Sequence, residues 1–240
     1  MNHKYAFYED KIVDMAIIES AHSDDKGYFI LLDHTIFYPQ GGGQPSDQGQ
    51  IRFGDGSISV LSAKMIDGEI RHYTDQDCSY AVGQQVKCHL DQEKRLYHSQ
   101  LHTSGHLISH VLESLYPPYK AIKGHHFPGE CYVEFVAKNG DLMNIDCELL
   151  QQELAAVITQ DQQVQSMFVT EEQFREISSD TAYSLPKSGI QSIRLVKIGN
   201  FSYQACGGTH VKATSELQGL EIIKIKVKGN SLKVYYSIKE

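Results

Sequence analysis

Apolar and polar residues alternate over short stretches of the first ninety residues, which is the pattern of half-buried β-strands. The predicted strands cover residues 12–18, 28–32, 49–53, 57–65, 69–73 and 85–90. Asp55-Gly56 and Asp67-Gly68 predict two-residue hairpin turns, because Asp and Gly tolerate the positive φ angles that such turns require. Several short strands with regular turns predict a small β-barrel over residues 1–90.

The pattern changes to helical spacing after Asp91, a suitable N-cap, and that spacing continues to Pro117-Pro118. A second helix is predicted over residues 147–159, and Thr170-Glu-Glu-Gln173 is a capping box that starts a third. Further strands are predicted over residues 131–136, 164–169, 192–198, 220–228 and 231–238, with the last two joined across Gly229-Asn230. The fold class is therefore α+β, with an N-terminal small β-barrel and, over residues 91–240, an α+β domain containing an antiparallel sheet.

Composition places the chain among globular proteins. Hydrophobic residues make up 41% of the 240 positions, which is enough for a substantial core. The N-terminal segment lacks an apolar signal core, and no stretch approaches 18 consecutive apolar residues. The five cysteines have no framework spacing, which fits a reducing compartment. We expect a cytoplasmic protein with no membrane partner.

The formal net charge of −8 argues against binding nucleic acid through overall charge, so any RNA contact must use local basic patches. The candidates are Lys94 and Arg95, residues 120–126, and the C-terminal lysines Lys224, Lys226 and Lys228. These C-terminal lysines alternate with apolar residues, so all three point to one face of a predicted strand. That face is either an ordinary solvated surface or an RNA contact.

Histidine recurs at every fourth position of the long helix, at His98, His102, His106 and His110. Each step of four turns the direction by about 40°, so His98 and His110 are about 120° apart and cannot share one ion. Two histidines one turn apart, such as His102 and His106, do lie on one face. The distant segment from Cys206 to His210 adds a thiol and a third imidazole, which completes a set of four ligands that zinc prefers.

Other interpretations of these residues stay open in the sequence. The histidines could be surface residues, and Cys206 could be a buried thiol or a nucleophile, although it lacks a papain-like context. A zinc site could also be structural, but two ligand pairs about a hundred residues apart and a majority of histidines favour a working metal. Gly105 costs about 1 kcal/mol relative to Ala inside a helix, which predicts close approach of another backbone or a substrate.

Three ordered motifs carry a family resemblance. They are Phe37-Tyr-Pro-Gln-Gly-Gly-Gly-Gln-Pro45, His102-Thr-Ser-Gly-His106 and Cys206-Gly-Gly-Thr-His210. Together they resemble the editing domain of alanyl-tRNA synthetase and its free-standing AlaX-type relatives. The resemblance extends from about Phe37 to the C-terminus, and the glycine-rich loop is similar to that of the medium-length members.

The resemblance implies a zinc-dependent hydrolase that deacylates mischarged tRNA(Ala) carrying serine, with glycine as a second candidate. It assigns the zinc ligands to His102, His106, Cys206 and His210, and makes residues 91–240 the editing domain. It also implies that the glycine-rich loop covers the editing site, with Gln44 as a candidate contact for the terminal adenosine or the amino acid. Thr209 either orients substrate or is an ordinary turn residue.

Two alternatives to this function stay open: an editor of another mischarged tRNA, such as Ser-tRNA(Thr), and a non-catalytic zinc module that binds tRNA. One departure from the family also matters. The synthetase editing domain usually carries a glutamine shortly after the His helix, and residues 119–126 contain none. Ile122 or a neighbour would take that place, and His125 and His126 are either replacements or surface residues.

Overall fold

The structure is a computed structural model that describes residues 5–54, 56–137, 144–177 and 192–239. The chain divides into two compact units, Met1–His98 and Ser99–Glu240. The elements of the two units confirm the predicted α+β class. None of the helices in the described ranges is long and apolar enough to cross a lipid bilayer.

Six antiparallel strands close into a barrel in the first unit, which confirms the predicted barrel. They are β1 (Val13–Asp24), β2 (Gly27–Leu32), β3 (Gly49–Phe53), β4 (Gly56–Ile66), β5 (Glu69–Thr74) and β6 (Gln85–Leu90). Their order around the barrel is β1-β2-β5-β4-β3-β6. Alternate residues of each strand point inward, so side chains such as Ile18, Ile51 and Val86 fill the interior.

The turns and strand ends of the barrel follow the predictions with one exception. Asp67 and Gly68 have φ angles of 52° and 84° and join β4 to β5, as predicted, whereas Asp55 lies outside the described residues. The exception is β1, which continues to Asp24 instead of ending at residue 18. The added segment is mostly polar and lacks the alternating pattern, and its pairing with β2 makes it a strand.

A buried ion pair joins the start of the long helix α1 (Gln92–Leu115) to the segment before β3. The Arg95 guanidinium donates to both carboxylate oxygens of Asp47 and, at 2.8 Å, to the Ile36 carbonyl oxygen. The Asp47 side chain is 1% exposed and also accepts a hydrogen bond from the Tyr38 amide at 2.7 Å. Arg95 is therefore occupied inside the first unit, which removes it from the basic patch proposed from the sequence.

The described residues of the second unit form two antiparallel sheets and two further α-helices. Its elements are β7 (Tyr119–His125), β8 (Tyr132–Ala137), α2 (Cys147–Thr159), β9 (Val164–Val169), α3 (Glu171–Ile177), β10 (Ile193–Ile198), β11 (Gln204–Ala205), β12 (Leu220–Lys228) and β13 (Ser231–Ile238). One sheet has the order β12-β13-β8-β7, and the other has the order β11-β10-β9. Most of α1 also belongs to this unit.

One face of the four-stranded sheet is part of the core, where residues such as Phe135 and Val234 are fully buried. Helix α2 contacts β12 through the Gln151 side chain, which donates to the Leu220 carbonyl and accepts from the Ile222 amide. These bonds meet the main chain of β12 next to a register shift between Ile222 and Lys224. The side chain thus satisfies backbone groups on an edge strand, where the sheet offers no neighbour.

Two strands of the second unit were not predicted. The edge strand β7 is mixed in composition, with two lysines and a glycine, so it has neither strict alternation nor an apolar run. It forms because β8 pairs with it, and β11 is a two-residue strand held in the same way by β10. The capping box of α3 is present, since Thr170 and Gln173 each donate a backbone amide to the side chain of the other.

We predict that Arg95→Met destabilises the first unit by about 3–5 kcal/mol, because it leaves the Asp47 carboxylate buried without its partner. Thermal and denaturant unfolding measure this change. The matched control is Lys94→Met, which removes an exposed ion pair with Asp91 and should change stability by less than about 1 kcal/mol. Equal stability of the two variants would contradict the assignment of a stabilising role to the buried pair of Arg95 and Asp47.

Candidate metal centre

Three imidazoles and one thiol converge in the second unit. The side chains are His102 and His106 on α1, and Cys206 and His210 in the segment that follows β11. One ligand atom from each residue lies within 4.8 Å of the others. The two helical residues are buried, whereas the other two are partly exposed. The structure thus brings together the four side chains that the sequence motifs singled out.

The local backbone explains how two distant segments meet. His102 and His106 are one turn apart on α1, and their ring centroids are 5.1 Å apart. The Cys206 amide donates to the Arg194 carbonyl at 3.0 Å, which extends the pairing of β10 with β11. The Arg194 guanidinium then donates to the carbonyl oxygens of Cys206 and Gly208, at 3.1 and 2.8 Å. Arg194 therefore fixes the loop that carries Cys206.

The Cys206 sulfur lies at the centre of the cluster. It is 3.3 Å from Nε2 of His102 and 3.3 Å from Nε2 of His210, and it accepts the Gly208 amide at 3.3 Å. Burial raises the pKa of the thiol, but its interactions with His102 and His106 lower that pKa by more, so it lies well below 9.0. The thiolate, which is the form that binds metals, is therefore favoured.

A hydroxyl group orients the His210 ring. Thr103 donates its hydroxyl to the Ser99 carbonyl at 2.7 Å, so the oxygen is free to accept from other donors. It accepts the Val211 amide at 3.2 Å and lies 3.0 Å from Nδ1 of His210. Nδ1 of His210 therefore carries the proton, and the lone pair of Nε2 points towards the sulfur. This is the tautomer that a metal ligand requires.

The three imidazoles differ in their proton affinity. Burial lowers the pKa of His102 to about 3 and also lowers the pKa of His210 well below 6.5, so both are neutral near pH 7. Burial lowers the pKa of His106 too, but the Cys206 thiolate raises it by more, so the net shift is upward. Neutral imidazole is the form that binds a metal ion. The arrangement can thus hold a cation in place of a proton.

A fourth imidazole, from His126, packs beside the cluster. Its ring stacks on His102 with centroids 4.5 Å apart, and its Nδ1 contacts the Tyr236 hydroxyl, which itself donates to the Leu101 carbonyl. A Cβ atom at Gly105 would lie 2.3 Å from Cε1 of His126 and 2.9 Å from the Tyr236 hydroxyl oxygen. Close approach at Gly105 was predicted correctly, but the neighbours are side chains and not a backbone or a substrate.

His126 also lies in the segment where the glutamine of the synthetase editing domain is missing. Ile122 is 55% exposed, and the His125 ring stacks on Phe127 with centroids 4.6 Å apart. Of the candidates in this segment, only His126 is placed against a residue of the cluster. His110, another of the four helical histidines, stacks on Phe201 with centroids 4.9 Å apart and is outside the cluster.

The two predicted catalytic residues occupy different units. Thr209 is buried in the second unit, where its hydroxyl lies 2.7 Å from that of Ser99. Gln44 is fully buried in the first unit and closes a two-residue turn, since Gly41 and Gln44 exchange backbone hydrogen bonds. Gly42 and Gly43 have φ angles of 56° and 78°, so the loop is an ordered turn. The roles of both residues stay predictions.

Two residues that support the cluster were not predicted from the sequence. Thr103 stands between the two helical histidines, and its position next to a motif residue could have drawn attention to it. Arg194 lies in a predicted strand, and nothing in the local pattern indicates that it holds the Cys206 loop. Both act through hydrogen bonds across more than ten residues, which no periodicity reveals.

Comparison with known proteins gives two partial and several nearly full-length matches. Residues 193–233 match the threonyl and alanyl tRNA synthetase second additional domain, and residues 3–94 match the class II (A) tRNA synthetases. An alanyl-tRNA editing protein AlaX-M of Methanosarcina barkeri is 34% identical over 223 residues, which cover 89% of each chain.

Two further relatives fit the same picture. An AlaX-M protein of Saccharolobus solfataricus is 32% identical, with 89% of this chain and 90% of the relative covered. An AlaX-L protein of Pyrococcus horikoshii is 31% identical over 94% of this chain but only 55% of the relative. The level of identity and the two-sided coverage together show that this chain belongs to the alanyl-tRNA editing proteins of the AlaX-M kind.

Proposed function

We propose that the chain hydrolyses the ester that joins serine to the terminal ribose of tRNA(Ala), and that it uses zinc to do so. The observation that carries the proposal is the cluster of three imidazoles and one thiolate, two of them partly exposed. Alanyl-tRNA editing is the activity for which the relatives are named. All five cysteines are free, which fits the reducing conditions of the cytoplasm, where we place this activity.

The donor set favours zinc over harder cations. Imidazole nitrogen and thiolate sulfur are the ligands that zinc prefers, whereas magnesium and calcium prefer oxygen. The ion would be held by His102, His106, Cys206 and His210, whose ligand atoms already face one another. When bound there, zinc supplies Lewis acidity, which polarises an ester carbonyl and makes hydroxide available near neutral pH.

The reaction consumes one water molecule. Water adds to the carbonyl carbon of the ester, the bond between that carbon and the ribose oxygen breaks, and a proton passes to the ribose oxygen. The products are free serine and a tRNA with an intact terminal hydroxyl. The chain contributes by holding its donors still: Thr103 fixes His210, and Gly208 and Arg194 fix Cys206. Thr209 is proposed to orient the amino acid, and the role of Gln44 stays a prediction.

Assays of amino-acid release distinguish two alternative functions. A glycyl ester on tRNA(Ala), or a seryl ester on tRNA(Thr), would require the same cluster and a different fit of the amino acid or the acceptor stem. A non-catalytic zinc module would bind tRNA and release no amino acid. The cluster favours hydrolysis because its ligands come from segments 104 residues apart and two of them are partly exposed, unlike the short closed knuckles of structural zinc.

The first prediction from this proposal concerns the ligands. His106→Ala and Cys206→Ala should each lose zinc or bind it weakly, because each substitution removes one of the four donors of the cluster. Elemental analysis of the purified variants measures the content. His110→Ala is the matched control on the same helix, and it should retain its metal because His110 is outside the cluster. Full zinc occupancy in both ligand variants would refute the assignment.

The second prediction concerns Thr103. We expect Thr103→Val to weaken zinc binding about 10–100-fold, since it removes the oxygen that accepts from Nδ1 of His210 while keeping the shape of the side chain. Competition with a chromophoric chelator measures the affinity. Thr103→Ser retains the hydroxyl and should bind zinc nearly as the parent does. A Val variant with parental affinity would show that this hydrogen bond does not orient the ligand.

The third prediction concerns the substrate. A site that hydrogen-bonds the serine hydroxyl should reject the alanyl ester by up to about 10⁴–10⁵ in kcat/KM, because alanine leaves that group unpaired. Release of amino acid from seryl-, glycyl- and alanyl-tRNA(Ala) and from seryl-tRNA(Thr) measures the preference. Equal rates on the seryl and alanyl esters, or no release from any of them, would overturn the proposed reaction.

A further inference from the structure

The outer face of the four-stranded sheet in the second unit combines basic and aromatic side chains. Residues paired across antiparallel strands point to the same side, and Lys224 pairs with Tyr235, Tyr235 with Tyr132, and Tyr132 with His125. We define the lysine-tyrosine face as Lys123, His125, Tyr132, Lys224, Lys226, Lys228, Lys233 and Tyr235. The opposite side of the same strands is the buried side, which includes Val133 and Val234.

The rings of this face form a row across the sheet. The centroids of Tyr235 and Tyr132 are 5.7 Å apart, and those of Tyr132 and His125 are 5.3 Å apart. The row continues from His125 to Phe127 at 4.6 Å. All of these side chains are partly exposed, so each retains accessible ring surface. Aromatic rings presented in this way are platforms on which unpaired bases stack.

Three lysines of the face place their ammonium groups over these rings. The Lys224 and Lys226 ammonium groups are 4.9 and 5.8 Å from the Tyr235 centroid, and that of Lys233 is 4.2 Å from the Tyr132 centroid. Lys123, Lys224, Lys226 and Lys228 are exposed. Ammonium groups and aromatic rings that share one surface are the combination that binds the phosphates and bases of a single-stranded nucleic acid.

Acidic groups near the face do not cancel its charge. Glu134 is 3.4 Å from Lys233, Glu221 is 2.6 Å from Lys239, and Glu130 is 3.4 Å from His125. Five lysines of the face thus stand against three acidic groups, Glu134, Glu130 and the already paired Glu221. The whole chain carries a formal net charge of −8, so this surface has the opposite sign to the molecule. An anionic partner would be attracted here and repelled elsewhere.

The row also ends close to the metal cluster. β7 is the edge strand of the sheet, and its last residue, His125, lies on the outer face. The next residue, His126, turns inward and stacks on the ligand His102 with centroids 4.5 Å apart. Adjacent Cα atoms are about 3.8 Å apart, so the end of the aromatic row is one residue from a side chain that touches a ligand.

We propose that the lysine-tyrosine face binds the single-stranded 3′ end of the tRNA substrate, with phosphates at the lysines and unpaired bases on the rings. A strand laid along the row and around the β7 edge would bring its terminal ribose towards the metal cluster. This inference rests on the proposed function for the direction of the strand, whereas the binding itself follows from charge and stacking.

The test compares two double variants that remove equal charge. Lys224→Gln/Lys226→Gln alters the face, and Lys26→Gln/Lys87→Gln removes two exposed lysines of the first unit. The affinity for deacylated tRNA(Ala) is measured by fluorescence anisotropy at several salt concentrations. The face variant should bind about tenfold or more weakly, and its salt slope should fall by about 1.4, because two phosphate contacts to a single strand are lost. The control should match the parent.

A second pair tests the rings. Tyr132→Leu should weaken binding about tenfold through lost stacking, whereas Tyr80→Leu, at a ring 59% exposed in the first unit, should leave it unchanged. Thermal unfolding checks that both variants are folded. Parental tRNA affinity in the two face variants would overturn the inference, as would loss of binding to anionic lipid vesicles while tRNA affinity is unchanged.

The seryl ester of adenosine separates this inference from the proposed function. This small ester has no phosphates, so the face variants should hydrolyse it at the parental rate while their rate on seryl-tRNA(Ala) falls at limiting concentration. Weakened tRNA binding in the face variants, with no hydrolysis by the parent, would sustain the face and overturn the proposed function. Hydrolysis with unchanged tRNA affinity would do the reverse.

Discussion

The second unit depends on one constraint, that four donor atoms from two distant segments must lie within 4.8 Å of one another. The segment 102–106 shows how strictly this is met. His102 and His106 supply donors, Thr103 orients His210, and the absence of a side chain at Gly105 admits the His126 ring. A helix allows this because its successive faces point in different directions. The helix therefore supplies two of the donors and also positions a third.

The first unit is stabilised in a different way. Closure of six strands satisfies the backbone groups that an open sheet would leave at its edges. The Asp47 carboxylate is buried, and the Arg95 guanidinium and the Tyr38 amide together satisfy its oxygens. A network of this kind specifies one arrangement of its segments, because each alternative would leave a buried charge without a partner.

Much of the fold could be predicted from the sequence wherever a local signal was complete. Helix α2 has an acidic N-cap, and β9, β12 and β13 have turn residues or capping motifs at their ends, so their predicted bounds agree with the structure. The end of β1 and all of β7 were missed, because their polar residues are held in strands only by their neighbours. The pairing of a strand with its neighbours cannot be predicted from the residue pattern of that strand alone.

At the site, too, the residues that could be predicted are those with a local signal in the sequence. The four clustered side chains could be found because two pairs share a spacing of four and stand in recognisable motifs. Arg95 was taken for a surface cation, since nothing nearby indicates Asp47, which is 48 residues earlier. His126 was one of several candidates until its stacking on His102 was known. Long-range contacts decided these residues.

The order of the segments along the chain also determines when each part of the fold is synthesised on the ribosome. Every strand of the barrel is made by Leu90, but Cys206 follows His102 by 104 residues, and β13 must enter between β12 and β8. At about 5–20 residues per second, roughly 5–20 seconds separate the two halves of the cluster. The barrel can close during that interval, whereas the nascent second unit has a helix with two imidazoles and no thiolate to meet them. The cluster and the four-stranded sheet of the second unit are therefore completed only after the barrel strands have been made.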